Sequence, residues 1–308
     1  MDDRPQIAIV GAGLIGRAWA YVFARGGLTV RAWDPDAAVR DDLDAQMQAM
    51  VREAGGPADL TGRIRAVATL EEALVGAALA QENGPERAET KRELYTRMDA
   101  IADRETVLAS SSSAIPASVF SSGLPGADRC LVAHPVNPPH LVPVVELCPS
   151  SETAPATMDR AEAIYRAVGQ VPVRLTCEVE GFVLNRLQAV LLAESLRLVQ
   201  DGVCTVQGLD DTIKHGLGRR WAFMGPLETI SLNAPEGVAD YMRRYGPTLA
   251  RLADDSARGE AFNDSAAHIV AVAFPDTATP AAVRARTAWR DGELAALDAH
   301  LRSRASKD

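Results

Sequence analysis

A glycine-rich turn near the start of the chain constrains the fold more than any other stretch. Gln6 to Val10 is a short apolar run typical of a buried strand, and it leads directly into Gly11-Ala12-Gly13-Leu14-Ile15-Gly16. The next stretch, Arg17 to Gly27, favours a helix that ends at two glycines. A strand, a G-x-G-x-x-G turn and a helix in this order are typical of a dinucleotide-binding unit. We therefore predict an α/β N-terminal domain with a Rossmann-type doubly wound sheet.

The three glycines of the turn suit the binding of a pyrophosphate. Gly11 allows the tight turn, Gly13 lets the pyrophosphate approach the backbone, and Gly16 lets helix and strand pack closely. The N-terminus of the helix faces the anion. We assign the whole turn to cofactor binding, including Leu14 and Ile15. The alternative is a glycine turn that binds no ligand.

An acidic residue ends the second predicted strand. This strand runs from Leu28 to Trp33 and stops at Asp34. An acid in that place can accept hydrogen bonds from the ribose hydroxyls of adenosine and would repel a 2′-phosphate. The sequence therefore predicts NAD as the cofactor in preference to NADP, with Asp34 as a binding residue. Arg31 and Arg40 are the nearest cations that could still admit a phosphate.

Strands and helices go on alternating up to about residue 180, as in a parallel sheet. The predicted helices are 36–54, 70–75, 86–102 and 153–168, and the predicted strands are 64–68, 77–81, 106–109, 129–133, 144–147 and 171–179. From residue 181 onward helix follows helix. We therefore predict an NAD-binding domain over residues 1–180 and an all-α domain, for substrate binding and dimerisation, over residues 181–308.

Three polar stretches are expected at the carboxyl edge of the sheet, where such folds bind their ligands. The turn Glu82 to Pro85 follows the fourth strand, and Glu86 directly after it is assigned to cofactor binding. The run Ser110 to Ser113 follows the fifth strand, and His134 ends the sixth. The alternative for the serines is that they only cap the following helix.

His134 and Glu146 are the candidates for an acid/base pair. Between them, prolines prevent a helix, so the chain must turn and come back as the apolar run Val144 to Leu147, which contains Glu146. A buried carboxylate needs a partner, and a carboxylate on one imidazole nitrogen leaves the other nitrogen to exchange protons with a substrate. The alternative is a structural histidine–glutamate pair at a strand end.

The predicted helix over residues 181–200 is apolar on nearly all faces, with Phe182 among its apolar residues. Such a helix must be covered on several sides, so we expect a homodimer formed through the helical domain. The alternative is a core helix in a monomer. Asn185 is a polar residue in this apolar setting and needs hydrogen-bonding partners. Its amide could bind substrate or cap a neighbouring backbone group.

Composition excludes several classes of function. The 308 residues are 47% hydrophobic and 24% charged, as in an ordinary globular protein, and the formal charge of −9 argues against nucleic acid or an anionic membrane as partner. The N-terminal stretch resembles neither a signal peptide nor a membrane span, so we expect a cytoplasmic protein. The four widely spaced cysteines predict buried free thiols and no metal site. The chain has three lysines, Lys91, Lys214 and Lys307, a scarcity interpreted as a bias of composition.

Beyond these local patterns, the chain resembles the 3-hydroxyacyl-CoA dehydrogenase family over nearly its whole length. The stretches IVGAGLIG, AHPVNPP, VVEL and GFVLNRL and the serine run occur in the order found in that family. The resemblance implies that His134 is the catalytic acid/base, with Glu146 as its carboxylate partner. It also implies that Ser113 and Asn185 hold the reacting oxygen and that Asn137 belongs to the substrate site.

Within this family the chain is most similar to the lambda-crystallin and L-gulonate 3-dehydrogenase branch, through VELCPSSETAP, GLGRRWAFMGPLETISLNA and AWRD. The resemblance implies oxidation of the C3 hydroxyl of a small hydroxy acid such as L-gulonate, with Arg220 binding the carboxylate. The alternatives are an L-carnitine or 3-hydroxybutyrate(-CoA) dehydrogenase and a crystallin-like structural protein that binds dinucleotide. The acyl-CoA enzymes carry a lysine-bearing helical hairpin after the second strand, and here that hairpin is missing.

Overall fold

The computed structural model describes residues 5–256, 259–274 and 279–305. They form two compact units, one that ends at Val183 and one that begins at Leu184. The first unit contains a mixed sheet with helices on both faces, and the second is helical. The predicted fold class is confirmed.

The sheet of the first unit has eight strands in the order β3-β2-β1-β4-β5-β6-β7-β8. Neighbouring strands are parallel except β6 and β7, which are antiparallel. The strands are β1 (Gln6–Val10), β2 (Thr29–Trp33), β3 (Ile64–Ala66), β4 (Ala77–Glu82), β5 (Val107–Ser110), β6 (Cys130–Pro135), β7 (Val144–Pro149) and β8 (Val171–Arg174).

Helices cover both faces of this sheet. They are α1 (Leu14–Arg25), α2 (Ala37–Glu53), α3 (Leu70–Leu74), α4 (Ala88–Ile101), α5 (Ala117–Ser121) and α6 (Pro155–Ala167), with 3-10 turns at Ala58–Arg63 and Ala127–Arg129. Side chains of α1, α2 and α6 form one apolar core with the sheet, around Trp19 and Tyr165. Side chains of α3, α4 and α5 form a second core on the other face, around Tyr95 and Phe120. A sheet that is buried on both faces explains why its central strands are nearly continuous apolar runs.

Several boundaries differ from the sequence-based expectations, and three of these differences have a structural reason. β8 ends at Arg174 and not at residue 179, because it is an edge strand that pairs with β7 over only four residues. α7 begins at Leu184 and not at residue 181, because Gly181 and Phe182 have φ of 75° and 50°, which a right-handed helix does not allow. His134 lies within β6 and not beyond its end, because β6 continues to pair with β7 through Pro135.

The second unit is built from α7 (Leu184–Gln200), α8 (Val206–Thr212), α9 (Gly218–Trp221), α10 (Pro226–Ser231), α11 (Val238–Asp254), α12 (Asp264–Ala273) and α13 (Pro280–Ala305). A π-helical turn, Ile213–Leu217, joins α8 to α9. α7 packs against α8 and α12, yet Ala193 is its one buried residue, and Leu187 and Val190 are 64% and 65% exposed. The other helices of this unit therefore leave much of the apolar surface of α7 uncovered.

The cysteines and the helices bear on two expectations from composition. Cys130 and Cys148 are buried, whereas Cys204 is half-buried and Cys177 is exposed, since it follows the end of β8. The expectation of a buried thiol is thus wrong for Cys177. Across the residues that the structure describes, no helix has both the length and the apolar composition needed to cross a membrane.

Candidate functional site

The glycine turn between β1 and α1 has the geometry of a dinucleotide cradle. Gly11 has a φ of 93°, and its N–H donates to the carbonyl oxygen of Trp33 over 2.8 Å. A Cβ added at Gly16 would lie 1.9 Å from the oxygen of Gly11, so any side chain there would clash. A Cβ added at Gly13 would meet nothing within 4 Å, which leaves the backbone open to a ligand. The turn is therefore closed where the helix packs and open where a pyrophosphate would approach.

Asp34, at the end of β2, is tied to this turn by its carboxylate. Its Oδ2 accepts a hydrogen bond of 2.8 Å from the N–H of Ala12, and its Oδ1 accepts one of 3.0 Å from the N–H of Asp36. Arg40 donates through Nη1 to the carbonyl oxygen of Asp34 over 2.6 Å. Arg31 donates to a carbonyl oxygen of α3 over 2.9 Å. Both guanidinium groups thus bind backbone oxygens.

The turn after β4 lies against the glycine turn. The N–H of Asn83 donates to the carbonyl oxygen of Val10 over 2.8 Å, and its Nδ2 donates to the carbonyl oxygen of Gln81 over 2.8 Å. The hydroxyl of Ser111 donates to Asn83 Oδ1 over 2.7 Å. Sequence reasoning identified the turn and the serine run but did not single out Asn83 or Ser111, because their pairing depends on the order of the strands.

A buried ion pair lies beneath this edge of the sheet. Lys91 in α4 is 1% exposed, and its Nζ lies 2.9 Å from Oε2 of Glu82, which is fully buried. The hydroxyl of Ser110 donates to the same Glu82 oxygen over 2.6 Å. A buried lysine must be paired, so Lys91 has a structural reason to be present. The sequence analysis interpreted only the scarcity of lysine and did not single out Lys91 for this role.

Glu86 and the loop after β5 form a second cluster at this edge. Oε1 of Glu86 accepts a hydrogen bond of 2.5 Å from the hydroxyl of Ser112 and bonds of 3.0 Å from the N–H groups of Ser113 and Ala114. The N–H of Ile115 lies 3.4 Å from the same oxygen. Burial raises the pKa of Glu86, but the Ser112 hydroxyl, the charge of Lys91 and the backbone donors outweigh it and lower this pKa.

The serines do not cap a helix here. α5 begins only at Ala117, and its N-cap is Pro116, which makes no side-chain capping bond. The hydroxyl of Ser112 accepts the N–H of Ile115 over 2.8 Å, so it bonds within its own loop. The alternative that these serines only cap the following helix is therefore wrong.

His134 and Glu146 are directly opposite each other in the antiparallel pair β6–β7. Nδ1 of His134 lies 2.9 Å from Oε2 of Glu146, and the two residues are 4% and 2% exposed. The N–H of Val183 donates to Oε1 of Glu146 over 2.8 Å. Because a carboxylate accepts and does not donate, the proton of a neutral His134 is on Nδ1, and its Nε2 presents a lone pair. The predicted contact between the two side chains is present.

Phe182 is a neighbour of this pair that the sequence analysis placed in a helix. Its ring centroid lies 5.3 Å from that of His134, and its side chain is fully buried. Its φ of 50° is unusual for a residue with a side chain and costs on the order of 1–3 kcal/mol. The ring packs beside the imidazole, and no local pattern in the sequence indicated this position.

Asn137, Asn185 and Arg220 are three further predicted site residues. Asn137 is exposed in the connection between β6 and β7, three residues after His134. Asn185 is half-buried in the first turn of α7, and Arg220 is exposed in α9, both in the second unit. In the described residues, no group of three or more His, Cys, Asp or Glu side chains is arranged to hold a metal ion.

Two models of one protein family match this chain, one after the other. The model of the 3-hydroxyacyl-CoA dehydrogenase NAD-binding domain matches residues 6–178, and that of the C-terminal domain of the same family matches residues 181–260. A lambda-crystallin homolog from Bos taurus is 44% identical over 304 residues and covers 94% of both chains. An L-carnitine dehydrogenase from Streptomyces griseus is 39% identical over 253 residues, which are 80% of this chain and 76% of that one.

A solved structure matches nearly the whole length of the chain. The NAD+-dependent dismutase 5-formyl-3-hydroxy-2-methylpyridine 4-carboxylic acid 5-dehydrogenase superposes with a TM-score of 0.80 and 27% identity, over 97% of this chain and 99% of that one. The family match over residues 6–178 is a match to an NAD-binding domain, and the glycine turn and Asp34 fit that cofactor. The chain therefore belongs to the 3-hydroxyacyl-CoA dehydrogenase family of NAD-dependent enzymes.

Proposed function

We propose that this protein oxidises the C3 hydroxyl of a small hydroxy acid, with L-gulonate, converted to 3-dehydro-L-gulonate, as the specific candidate. The observation that carries the proposal is the buried pair of His134 and Glu146 at the edge of the sheet that also holds the glycine turn. When bound, NAD supplies the acceptor for the hydride that leaves the substrate carbon.

His134 is the proposed general base for the hydroxyl proton. Nε2 takes this proton, while Nδ1–H stays on Glu146 Oε2 at 2.9 Å. The Glu146 carboxylate then stabilises the imidazolium that forms, and the Val183 N–H on its other oxygen holds it in place. In the reverse direction the same imidazolium returns the proton.

Two side chains are proposed to orient the reacting oxygen. The Ser113 hydroxyl lies on the loop after β5, and the Asn185 amide lies in the first turn of α7. Asn137, which follows His134 by three residues, is proposed as a further substrate contact. Each of these groups donates or accepts a hydrogen bond without carrying a charge, so they would fix the alcohol without competing for its proton.

The segment between β2 and β3 supports a substrate without coenzyme A. It consists of the single helix Ala37–Glu53 and a short 3-10 turn, and no lysine occurs in it. A small hydroxy acid then offers only its carboxylate and hydroxyls for recognition. We propose that Arg220 binds the carboxylate, because a guanidinium can hold it bidentately.

L-Carnitine is the second candidate, and one feature favours it. Trp221 and Phe223, next to Arg220, are 39% and 67% exposed. Exposed aromatic faces bind quaternary ammonium groups by cation–π interaction, and carnitine carries such a group beside its carboxylate. The similarity to an L-carnitine dehydrogenase also supports this candidate. 3-Hydroxybutyrate and its CoA thioester remain the alternatives from the wider family.

Steady-state kinetics with a substrate panel tests the proposal. NAD reduction is followed with L-gulonate, L-carnitine, 3-hydroxybutyrate and 3-hydroxybutyryl-CoA. The expected result is the highest kcat/KM with one of the free hydroxy acids, L-gulonate first. A CoA thioester that is used best would overturn the choice of substrate. NADH binding without turnover of any member would instead favour a crystallin-like structural role.

We also propose that the helical unit forms a homodimer in the cytoplasm. Exposed apolar residues on α7, such as Leu187 and Val190, support the dimer, because a second subunit would cover them. The four free thiols support the cytoplasm, because it is a reducing compartment. Light scattering after size exclusion should give twice the mass of 32.8 kDa. A monomer at micromolar concentration would contradict the dimer, and recovery in a non-cytosolic fraction would contradict the location.

A further inference from the structure

Successive backbone N–H groups after β5 converge on a single oxygen atom. The N–H groups of Ser113 and Ala114 each lie 3.0 Å from Glu86 Oε1, and that of Ile115 lies 3.4 Å from it. The Ser112 hydroxyl donates to the same oxygen over 2.5 Å. Convergent N–H groups of this kind form an anion-binding nest. Here the anion is a side chain of the protein itself.

The position of this anion is set from the neighbouring strand. Glu86 follows β4, and its other oxygen, Oε2, lies 3.5 Å from Nζ of Lys91. Lys91 is buried and also holds Glu82, the last residue of β4, over 2.9 Å. The lysine therefore lies between two carboxylates, one fully buried and one half-exposed. A buried cation next to Glu86 keeps this carboxylate charged, in agreement with its lowered pKa.

We propose that Glu86 is a positioning residue: its carboxylate is a built-in anion that fills the nest at residues 113–115 and thereby sets the Ser113 hydroxyl for the substrate. This inference rests on the proposed function of Ser113. Because Glu86 occupies the N–H of Ser113, only the hydroxyl of that residue can donate to a substrate oxygen. Glu86 acts on the reaction through the loop.

The proposal predicts that the nest accepts another anion once Glu86 is shortened. In Glu86→Ala, the loop should lose its fixed geometry, and kcat should fall roughly 10- to 100-fold, as expected when a reacting group is misplaced by about 1 Å. Added formate should occupy the nest and restore part of this loss, whereas neutral formamide should not. The kcat of Glu86→Gln should lie between those of Glu86→Ala and the unaltered protein, because an amide oxygen still accepts N–H bonds but carries no charge.

Hydrogen exchange of the peptide that spans residues 112–116 provides a readout that needs no substrate. Exchange should be faster in Glu86→Ala than in the unaltered protein and should slow again with formate. Glu89→Ala, which removes an exposed carboxylate three residues further on, should change neither exchange nor kcat. Ser113→Ala should lower kcat without changing exchange, and formate should not rescue it.

The outcomes separate this inference from the proposed function. Unchanged exchange of residues 112–116 in both Glu86→Ala and Glu86→Gln would overturn the inference, as would a loss of NADH affinity with normal exchange, since Glu86 would then act on the cofactor alone. If no hydroxy acid is oxidised by the unaltered protein, the proposed function fails, and the exchange and formate results still decide whether Glu86 fills the nest.

Discussion

Oδ2 of Asp34 accepts a hydrogen bond of 2.8 Å from the N–H of Ala12, so the acid that ends β2 is joined to the glycine turn that follows β1. The same carboxylate accepts the N–H of Asp36 through Oδ1. Asp34 therefore has a structural role in the turn as well as the predicted role at the adenosine ribose. Substitutions at this position must be chosen to separate the two.

Asp34→Asn isolates the charge. An asparagine oxygen can still accept the Ala12 N–H, but it no longer repels a 2′-phosphate, so the preference for NAD over NADP should narrow by about tenfold or more. Asp34→Ala should in addition weaken the binding of both cofactors, because the turn loses its hydrogen bond. The measurement is kcat/KM with each cofactor, and the control is Asp41→Asn at an exposed position of α2. Equal efficiency with NAD and NADP in the unaltered enzyme would contradict the role of Asp34.

His134→Gln should lower turnover by about 10²- to 10⁴-fold, the usual contribution of general acid/base catalysis. NADH affinity should stay nearly intact, because the glycine turn is not altered. Glu146→Gln should also lower kcat, since the imidazole loses the charge that orients it at 2.9 Å. Stopped-flow turnover and NADH fluorescence titration give the two quantities. Wild-type turnover in His134→Gln would falsify the assignment.

Arg220→Met should raise KM for hydroxy acids roughly tenfold or more, since a charged hydrogen bond contributes about 1.5–3 kcal/mol. NAD binding should not change. Arg219→Met is the matched control, because Arg219 is the exposed neighbour in the same short helix. A neutral ester used as well as the free acid by the unaltered enzyme would show that no cation recognises the carboxylate.

Lys91→Met should destabilise the protein by about 3–5 kcal/mol, because it leaves the buried Glu82 carboxylate without its counterion. Glu82→Gln together with Lys91→Met should recover part of this loss, since no uncompensated charge then remains buried. Urea unfolding of the single and double variants measures the difference. If the double variant is no more stable than Lys91→Met alone, the ion pair does not explain the burial of Lys91.

The free energy of unfolding should fall as pH rises above about 9. Burial raises the pKa of Cys148 from 9.0 to about 11 and that of Cys130 to about 12, and it raises the pKa of Tyr95 and Tyr165 as well. The folded state holds these protons while the unfolded chain releases them, so each contributes a loss of up to about 1.4 kcal/mol per pH unit. Denaturant unfolding at several pH values between 8 and 11 measures this loss. The free energy of unfolding should fall less steeply with pH in Cys148→Ala than in Cys177→Ala, because the Cys177 thiol is exposed in the folded protein. Equal slopes would refute this source of alkaline instability.

The sequence predicts the part of the site that local patterns encode. The glycine turn, Asp34 and the serine run each stand at a strand end that can be read from apolar periodicity, and the parallel sheet then brings them to one edge. The contact between His134 and Glu146 is also predicted, because the prolines between them prevent a helix and the chain must turn back. The confirmed fold class rests on the same alternation of strands and helices.

Features that depend on distant pairing were not predictable in this way. The burial of Lys91 follows from the position of Glu82 on another element, and a single lysine in an amphipathic helix gives no sign of it. Phe182 lies beside His134 only because the chain adopts a positive φ there, and its apolar character alone suggested a helix. β8 is shorter than its apolar run because pairing with β7 decides its end, not the residues of β8 themselves.

The antiparallel register of β6 and β7 also determines how the chain can change in length. Side chains of a strand alternate between the two faces of the sheet, so one residue inserted in β7 before Glu146 would move the carboxylate to the face opposite His134. An insertion in the connection over residues 136–143 would leave the register untouched. An insertion should therefore be tolerated before Val144 and harmful after it. A scan of single-residue insertions across this position should show a sharp loss of activity where the strand begins.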